Sequence, residues 1–165
     1  MVILGIDPGT ASTGFGLIKV KSKGGNIKTS LKCLGYGLIK TNPSFSSAER
    51  LKKINNELSK LIKKYQPKIL AVENVYFFKN LKTAIPVSQA KGVILLTAAK
   101  NKIPVYEFTP LQVKLAITGF GWAKKGLVQK KTKNLLKLKE MPKSDDAVDA
   151  LAIALTCFLK IFFKP

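Results

Sequence analysis

The chain has 165 residues, 46% of them hydrophobic, with 29 basic against nine acidic side chains, no histidine and a formal net charge of +20. Its length and apolar content suit one self-sufficient domain over residues 1–165. The lack of histidine excludes histidine general bases, Ser-His and Cys-His nucleophile pairs and histidine metal ligands, so hydrolysis would have to run on carboxylates, lysine or metal-bound water.

Three strand-like runs come first: Val2–Asp7, Gly14–Val20 and about Leu31–Ile39. Pro8-Gly9-Thr10 makes a tight turn after the first, and Lys23-Gly24-Gly25-Asn26 a hairpin-type loop after the second. The three therefore predict an antiparallel meander. Ser46 or Ser47 caps a helix whose apolar face carries Leu51, Ile54, Leu58, Leu61 and Ile62. Glu49 and Glu57 lie on its polar side, within reach of Lys53 and Lys60. Pro67 ends that unit, and Ile69–Glu73 reads as a buried strand that the helical crossover makes parallel to an earlier one. A second helix around Val87–Lys100 leads to a fifth strand, Val105–Phe108. Thr109-Pro110 opens a short helix to about Thr118, and Gly119–Trp122 is a loop. A lysine-rich helix runs from about Gly126 to Leu138, and after Pro142 a last apolar helix starts near Ser144. The sum is an α/β fold: a five-stranded mixed sheet, three strands in a meander plus two parallel ones, flanked by helices.

No basic leader precedes Val2. The last apolar stretch is interrupted by Asp149, Lys160 and Lys164, too often for a membrane span of ~20 apolar residues, and reads as a core or dimer helix. Cys33 and Cys157 are far apart and form no disulfide or zinc pattern, so a cytoplasmic location is expected.

The basic residues are almost all lysine, with Arg50 the sole arginine. A genome biased toward lysine codons would give the same counts. As a functional signal, lysine meets phosphate as a point charge, whereas bidentate base reading favours arginine. Nucleic acid recognised by backbone and shape is therefore the expected partner. Lys124, Lys125, Lys130, Lys131, Lys133, Lys137, Lys139 and Lys143 crowd one segment into a dense basic patch.

Five of the nine acids fall where the fold can gather them. Asp7 ends the first apolar run and Glu73 the fourth, so both would point into the crevice beyond the carboxyl ends of neighbouring strands. Singly, Asp7 also suits a turn before Pro-Gly, and Glu73 an ion pair with Lys79 or Lys82. Asp145 and Asp146 open the last helix, where its dipole favours acids anyway. Asp149 lies one turn further in, between Ala147-Val148 and Ala150-Leu151. There a buried carboxylate costs several kcal/mol unless a metal or a lysine answers it. Spacings of three and four residues put Asp146 and Asp145 on its face. Four carboxylates from two strand ends and a helix suit two hard cations about 3.5–4 Å apart, able to promote phosphodiester hydrolysis. Magnesium is the expected ion, with manganese a substitute.

The ordered set Ile3-Leu4-Gly5-Ile6-Asp7-Pro8-Gly9-Thr10, Gly14-Phe15-Gly16, Glu73-Asn74-Val75-Tyr76-Phe77, Ser88-Gln89-Ala90-Lys91-Gly92, Pro110-Leu111-Gln112-Val113-Lys114 and Asp146-Ala147-Val148-Asp149-Ala150-Leu151-Ala152 spans nearly the whole chain. It resembles the RuvC-type Holliday-junction resolvases, crossover-junction endodeoxyribonucleases with an RNase H-like fold. The resemblance implies that Asp7, Glu73, Asp146 and Asp149 are the catalytic metal ligands, with Asp146 favoured over Asp145 by its spacing from Asp149. It implies that Tyr76 stacks at an opened junction and that Lys114 and Lys125 meet phosphate near the site; Lys124, Lys130 and Lys131 are expected to bind DNA as part of the basic patch, whatever the family. It also implies symmetric nicking of a four-way DNA junction in recombination and repair, 5′-phosphate and 3′-hydroxyl ends, a homodimer, and a branch-migration helicase complex as partner. Leu127 stands where the family often has glutamine, and Thr156-Cys157 is not followed by the histidine of many members. The competing readings are another RNase H-like nuclease, a catalytically silent junction binder, and an actin-like ATPase or sugar kinase. The last requires a second domain and a second glycine-rich loop, and the silent binder leaves Glu73 and Asp149 unexplained.

Overall fold

Side chains of a strand alternate between the two faces of its sheet, and here that alternation divides the apolar residues into two layers. The computed structural model describes residues 1–22, 29–74 and 81–163. The elements are β1 (Val2–Asp7), β2 (Ser12–Ser22), β3 (Thr29–Lys40), α1 (Ser47–Tyr65), β4 (Ile69–Glu73), α2 (Leu81–Lys100), β5 (Val105–Phe108), α3 (Pro110–Thr118), α4 (Lys125–Leu136) and α5 (Asp145–Phe162). Sheet order is β3-β2-β1-β4-β5. β1, β2 and β3 pair antiparallel, and β4 runs parallel to both β1 and β5. This is the mixed sheet the hydrophobic pattern predicts.

On one face Leu4, Ile6, Leu17, Leu70 and Val72 pack against Ile54, Leu58 and Ile62 of α1 and Ala90, Ile94 and Ala98 of α2. On the other, Ile3, Ile18, Val20, Ile69 and Ala71 pack under α5, which α3 and α4 cover from outside through Val113, Ile117, Val128 and Leu136. Sandwiched in this way, α5 is buried at every position from Ala150 to Phe158. It is a core helix, as expected of one apolar all round.

Local chemistry sets the ends. Ser46 and Glu49 form a reciprocal capping box at α1, and Thr109 and Gln112 another at α3, with Pro110 in the first turn. Glu49 therefore bonds the backbone and hydroxyl of Ser46 instead of Lys53, whereas Glu57 does pair with Lys60 at 2.7 Å. α2 begins at Leu81 and continues through Pro86. The sequence places its start after that proline because proline usually opens a helix and seldom continues one. The hairpin-type loop Lys23–Asn26 lies outside the described residues.

Candidate active site

Parity places the first two acids. Ile3 and Ile69 face α5, so Gly5 and Asp7 of β1, and Ala71 and Glu73 of β4, share that face. The parallel register pairs Gly5 with Ala71 and Ile6 with Val72. Carried one residue further, it sets Asp7 beside Glu73 at the carboxyl ends of adjacent strands.

The third and fourth acids come from α5, and glycines let them come close. Asp7 pairs across the antiparallel ladder with Gly14, and Gly5 with Gly16. A methyl group on Gly14 would stand 2.5 Å from the Asp146 carbonyl carbon and collide with its oxygen. One on Gly5 would stand 2.7 Å from the Ala154 nitrogen, and one on Gly16 2.7 Å from the Leu151 nitrogen. The helix backbone thus rests on bare strand backbone, and the residue lying over Gly14, the partner of Asp7, is Asp146.

Electrostatics confirm the crowding. Burial and then the charges of Glu73, Asp149 and Asp146 push the Asp7 carboxyl up to about 8, against a smaller opposing pull from Lys125. Burial and Asp149 push Glu73 up to about 7. Asp149 is raised as well, first by burial, although Lys125 pulls it down. The Lys125 ammonium lies 3.1 Å from Asp149 and 3.2 Å from Asp145. Burial works against its charge, but those two bonds prevail and raise its pKa. Asp145 is different: exposed, held by Lys125 and by a 2.8 Å hydrogen bond from Gln129, it lies below the usual carboxylate range. It faces α4, while Asp146 contributes to the field at Asp7.

A cleft of about 230 Å³ opens beside this group, lined by Glu73, Pro110, Val113, Lys114, Lys125, Val128, Asp149 and Ile153. Of the residues singled out by sequence, Asp7, Glu73, Asp146 and Asp149 are brought together, and Lys114 and Lys125 line the same cleft. Lys124 occupies the N-cap position of α4 without a side-chain capping bond, and Lys130 and Lys131 lie exposed, outside the cleft lining. Tyr76 lies outside the described residues, as do Phe77, Phe78 and Lys79. Arg50 is committed elsewhere, its guanidinium donating to the Phe45 and Pro43 carbonyls.

Sequence reasoning missed one group. Lys91 of α2, mostly buried, donates to Asn74 Oδ1 at 2.6 Å and to Glu107 of β5. It thereby ties down the residue that follows Glu73. The signal was present as a lysine in the middle of a largely apolar helix, but one lysine among so many carries little weight.

The donor set fits a hard divalent cation: carboxylate oxygens, with no histidine in the chain and no cysteine among the cleft residues. Among the described residues no three acids close into a finished metal cage. Like charges with one ammonium between them have no reason to converge further.

The family model described as crossover junction endodeoxyribonuclease RuvC matches residues 3–157. The crossover junction endodeoxyribonuclease RuvC of Caldicellulosiruptor saccharolyticus is 48% identical over 155 residues, covering 94% of this chain and 90% of the relative. The solved structure of Thermus thermophilus RuvC superposes with a TM-score of 0.88 at 35% identity, covering 98% of this chain and 95% of that one. The same organism's RuvC in complex with Holliday junction substrate gives 0.87 at 30% identity, covering 99% and 97%.

Proposed function

This chain belongs to the RuvC family of crossover junction endodeoxyribonucleases, and from that premise we propose that it resolves four-way DNA junctions by magnesium-dependent hydrolysis at Asp7, Glu73, Asp146 and Asp149. The observation that carries the site assignment is the crowding itself. In a chain of net charge +20, burial and three neighbouring acids push Asp7 up to about 8, a cost that stability alone does not explain.

Two magnesium ions held by these four carboxylates, with manganese able to substitute, would supply activation of water and stabilisation of the leaving oxygen. The protein's part is positional. β1 and β4 fix two carboxylates on one sheet face, and the glycine-floored seat of α5 fixes the other two. Lys125 holds Asp149 and Asp145, and it can turn its ammonium to the scissile phosphate once Asp149 is otherwise engaged. Lys114, across the cleft, is placed to meet the same phosphate. Asp145, already bonded to Gln129 and Lys125, stays a positioning residue for α4.

The reading extends to one nuclease domain over residues 1–165, nicks leaving 5′-phosphate and 3′-hydroxyl ends, stacking by Tyr76, and phosphate contacts by Lys124, Lys130 and Lys131. Symmetric cutting of two strands calls for a twofold homodimer. The outer side of α2 supports one, with Ile85 66% and Leu96 55% exposed and open space at Gly92 between them. A branch-migration helicase complex is the proposed protein partner. No helix among the described residues is long and apolar enough to cross a membrane. Both cysteines are free, which suits a reducing compartment such as the cytoplasm.

The test is cleavage of a synthetic four-way junction beside a linear duplex and an RNA–DNA hybrid, in magnesium and in chelator, with Asp149→Asn in parallel. Paired, directly ligatable nicks in the junction alone, lost in chelator and in the variant, are expected. Equal cutting of the hybrid would assign a different RNase H-like nuclease. Tight junction binding without cutting in magnesium or manganese would make the protein a silent binder.

A further inference from the structure

The loop between α3 and α4 carries the two most exposed aromatic rings among the described residues, Trp122 at 91% and Phe120 at 69%. Such rings ordinarily stabilise a fold by being covered. The loop that exposes them is nevertheless firmly held. Gly119 ends α3 in the left-handed conformation, its N–H on the Leu115 carbonyl at 2.8 Å. The Thr118 hydroxyl accepts from the Phe120 N–H at 3.1 Å, and its single proton goes to the Lys114 carbonyl at 2.8 Å, with the Phe120 carbonyl a longer alternative at 3.1 Å. The Ala123 N–H closes a turn onto that same carbonyl at 3.2 Å, and Ala123 itself is buried. Trp122 therefore sits at the tip of an anchored turn, its ring out in solvent by construction.

The loop has an apolar side, where half-exposed Leu111 packs against Gly121, and a cationic one. Lys124 and Lys125 follow immediately, and Lys125 lines the acidic cleft. Three residues of chain span at most about 11 Å, so Trp122 lies within a few nucleotide steps of anything bound at Lys125. Between them the amino end of α4 has no side-chain cap and no acid in its first turn, and open space stands at Gly126. Its free N–H groups can meet a phosphate.

We propose that Trp122, backed by Phe120, is a stacking platform for a nucleobase on the strand whose phosphate rests at the start of α4, next to the position of cutting. The proposal rests on the nuclease reading above. Every base has a flat π-face, so such a platform grips an unstacked nucleotide without reading its sequence. That suits a chain whose only arginine is committed to its own backbone. Charge complementarity favours a polyanion here over an apolar protein surface.

Trp122 is the only tryptophan, so intrinsic fluorescence reports on this ring alone. Asp149→Asn protein in magnesium, or wild type in calcium, would be titrated with the four-way junction, and quenching of the emission is expected. In cleavage assays Trp122→Phe should stay within about threefold of wild type, while Trp122→Leu and Trp122→Ala lose about 5- to 160-fold, the range that corresponds to loss of one base stack. Unchanged emission at saturating junction would overturn the proposal. So would Trp122→Leu cutting as well as Trp122→Phe, or an emission shift to the blue with rising protein concentration and no DNA, which would mean a second copy covers the ring. Junction cutting with a silent Trp122 defeats the stacking platform alone, whereas no junction cutting by wild type defeats the nuclease reading beneath it.

Discussion

Replacing Gly14 by alanine probes the seat of α5 without substituting an acid. The added methyl would stand 2.5 Å from the carbonyl carbon of Asp146 and 3.1 Å from its Cβ, all of it helix backbone or its root. Ordinary carbon–carbon contact begins near 3.5 Å, so strand or helix must yield by about 1 Å. Overpacking of this kind costs about 1–3 kcal/mol, which for a chain of this size lowers Tm by roughly 2–12 °C. The functional loss should be larger, because a displacement of about 1 Å at a reacting centre can cost about 100-fold in rate. Gly35→Ala is the control, since a methyl there would meet only the Tyr65 hydroxyl at 3.5 Å. The assay pairs thermal melting with single-turnover cleavage of a four-way junction, and junction binding is measured separately. We expect Gly14→Ala to bind near wild-type affinity yet cut about 100-fold more slowly, with Gly35→Ala unaffected. Gly14→Ala cutting within threefold of wild type at unchanged Tm would refute the idea that close packing sets the site.

The other predictions follow from the charges. Asp146→Asn should abolish cutting while Asp145→Asn stays within about fivefold, because Asp145 is turned to Gln129 and Lys125; equal losses in the cleavage assay would show that both acids serve the site. Asp7 has a folded pKa raised from 3.8 to about 8, so the folded state holds a proton that the unfolded chain releases. Metal-free protein should therefore lose stability as pH rises through that window, and magnesium should restore it mainly at the alkaline end; a chelator melting series that rises with pH would contradict this. Lys125→Met removes ion pairs whose lysine is half exposed, so metal-free stability should change by less than about 1 kcal/mol while cutting falls at least tenfold. Lys91→Met strips Asn74 and Glu107 of their common partner, and should slow cutting more than it weakens junction binding; the reverse pattern would place Lys91 at the DNA.

Much of this was legible in the residues. The alternation of Ile3 with Leu4 and of Ile69 with Leu70 predicts two buried sheet faces, and the same parity carries Asp7 and Glu73 to one of them. Asp149 stands out because α5 is otherwise apolar. Helical geometry alone does not choose between Asp146 and Asp145, since both fit one face with Asp149, and only the family resemblance favours Asp146. The proposal of Asp146 rests on the bonds that turn Asp145 to Gln129 and Lys125 of α4, contacts that helical spacing does not reveal. The glycines were equally opaque: Gly14 and Gly16 look like ordinary strand punctuation until the helix backbone is seen lying on them. Lys91 and Trp122 escaped for opposite reasons, one a lysine hidden among many, the other an aromatic in a loop whose exposure no pattern reveals.

The lysines explain how so acidic a cleft survives in so basic a chain. Without a counter-charge, burying Asp7, Glu73 and Asp149 together would cost several kcal/mol. Protonation offsets part of that, as the raised pKa values of Asp7 and Glu73 show, and Lys125 offsets another part through Asp149 and Asp145. Both remedies are weak and reversible: a proton lost near neutral pH, and an ammonium half exposed on a helix end. On the proposed function a divalent cation would outcompete both, because it would bring two charges to oxygens already fixed by strand and helix. The cluster would then stand between a tolerable resting state and a cation-bound one, with Lys125 the element that changes partner. On this account the ion pair is kept for its ease of breaking. An added acid that tightens Lys125 should slow cutting even though it raises metal-free stability.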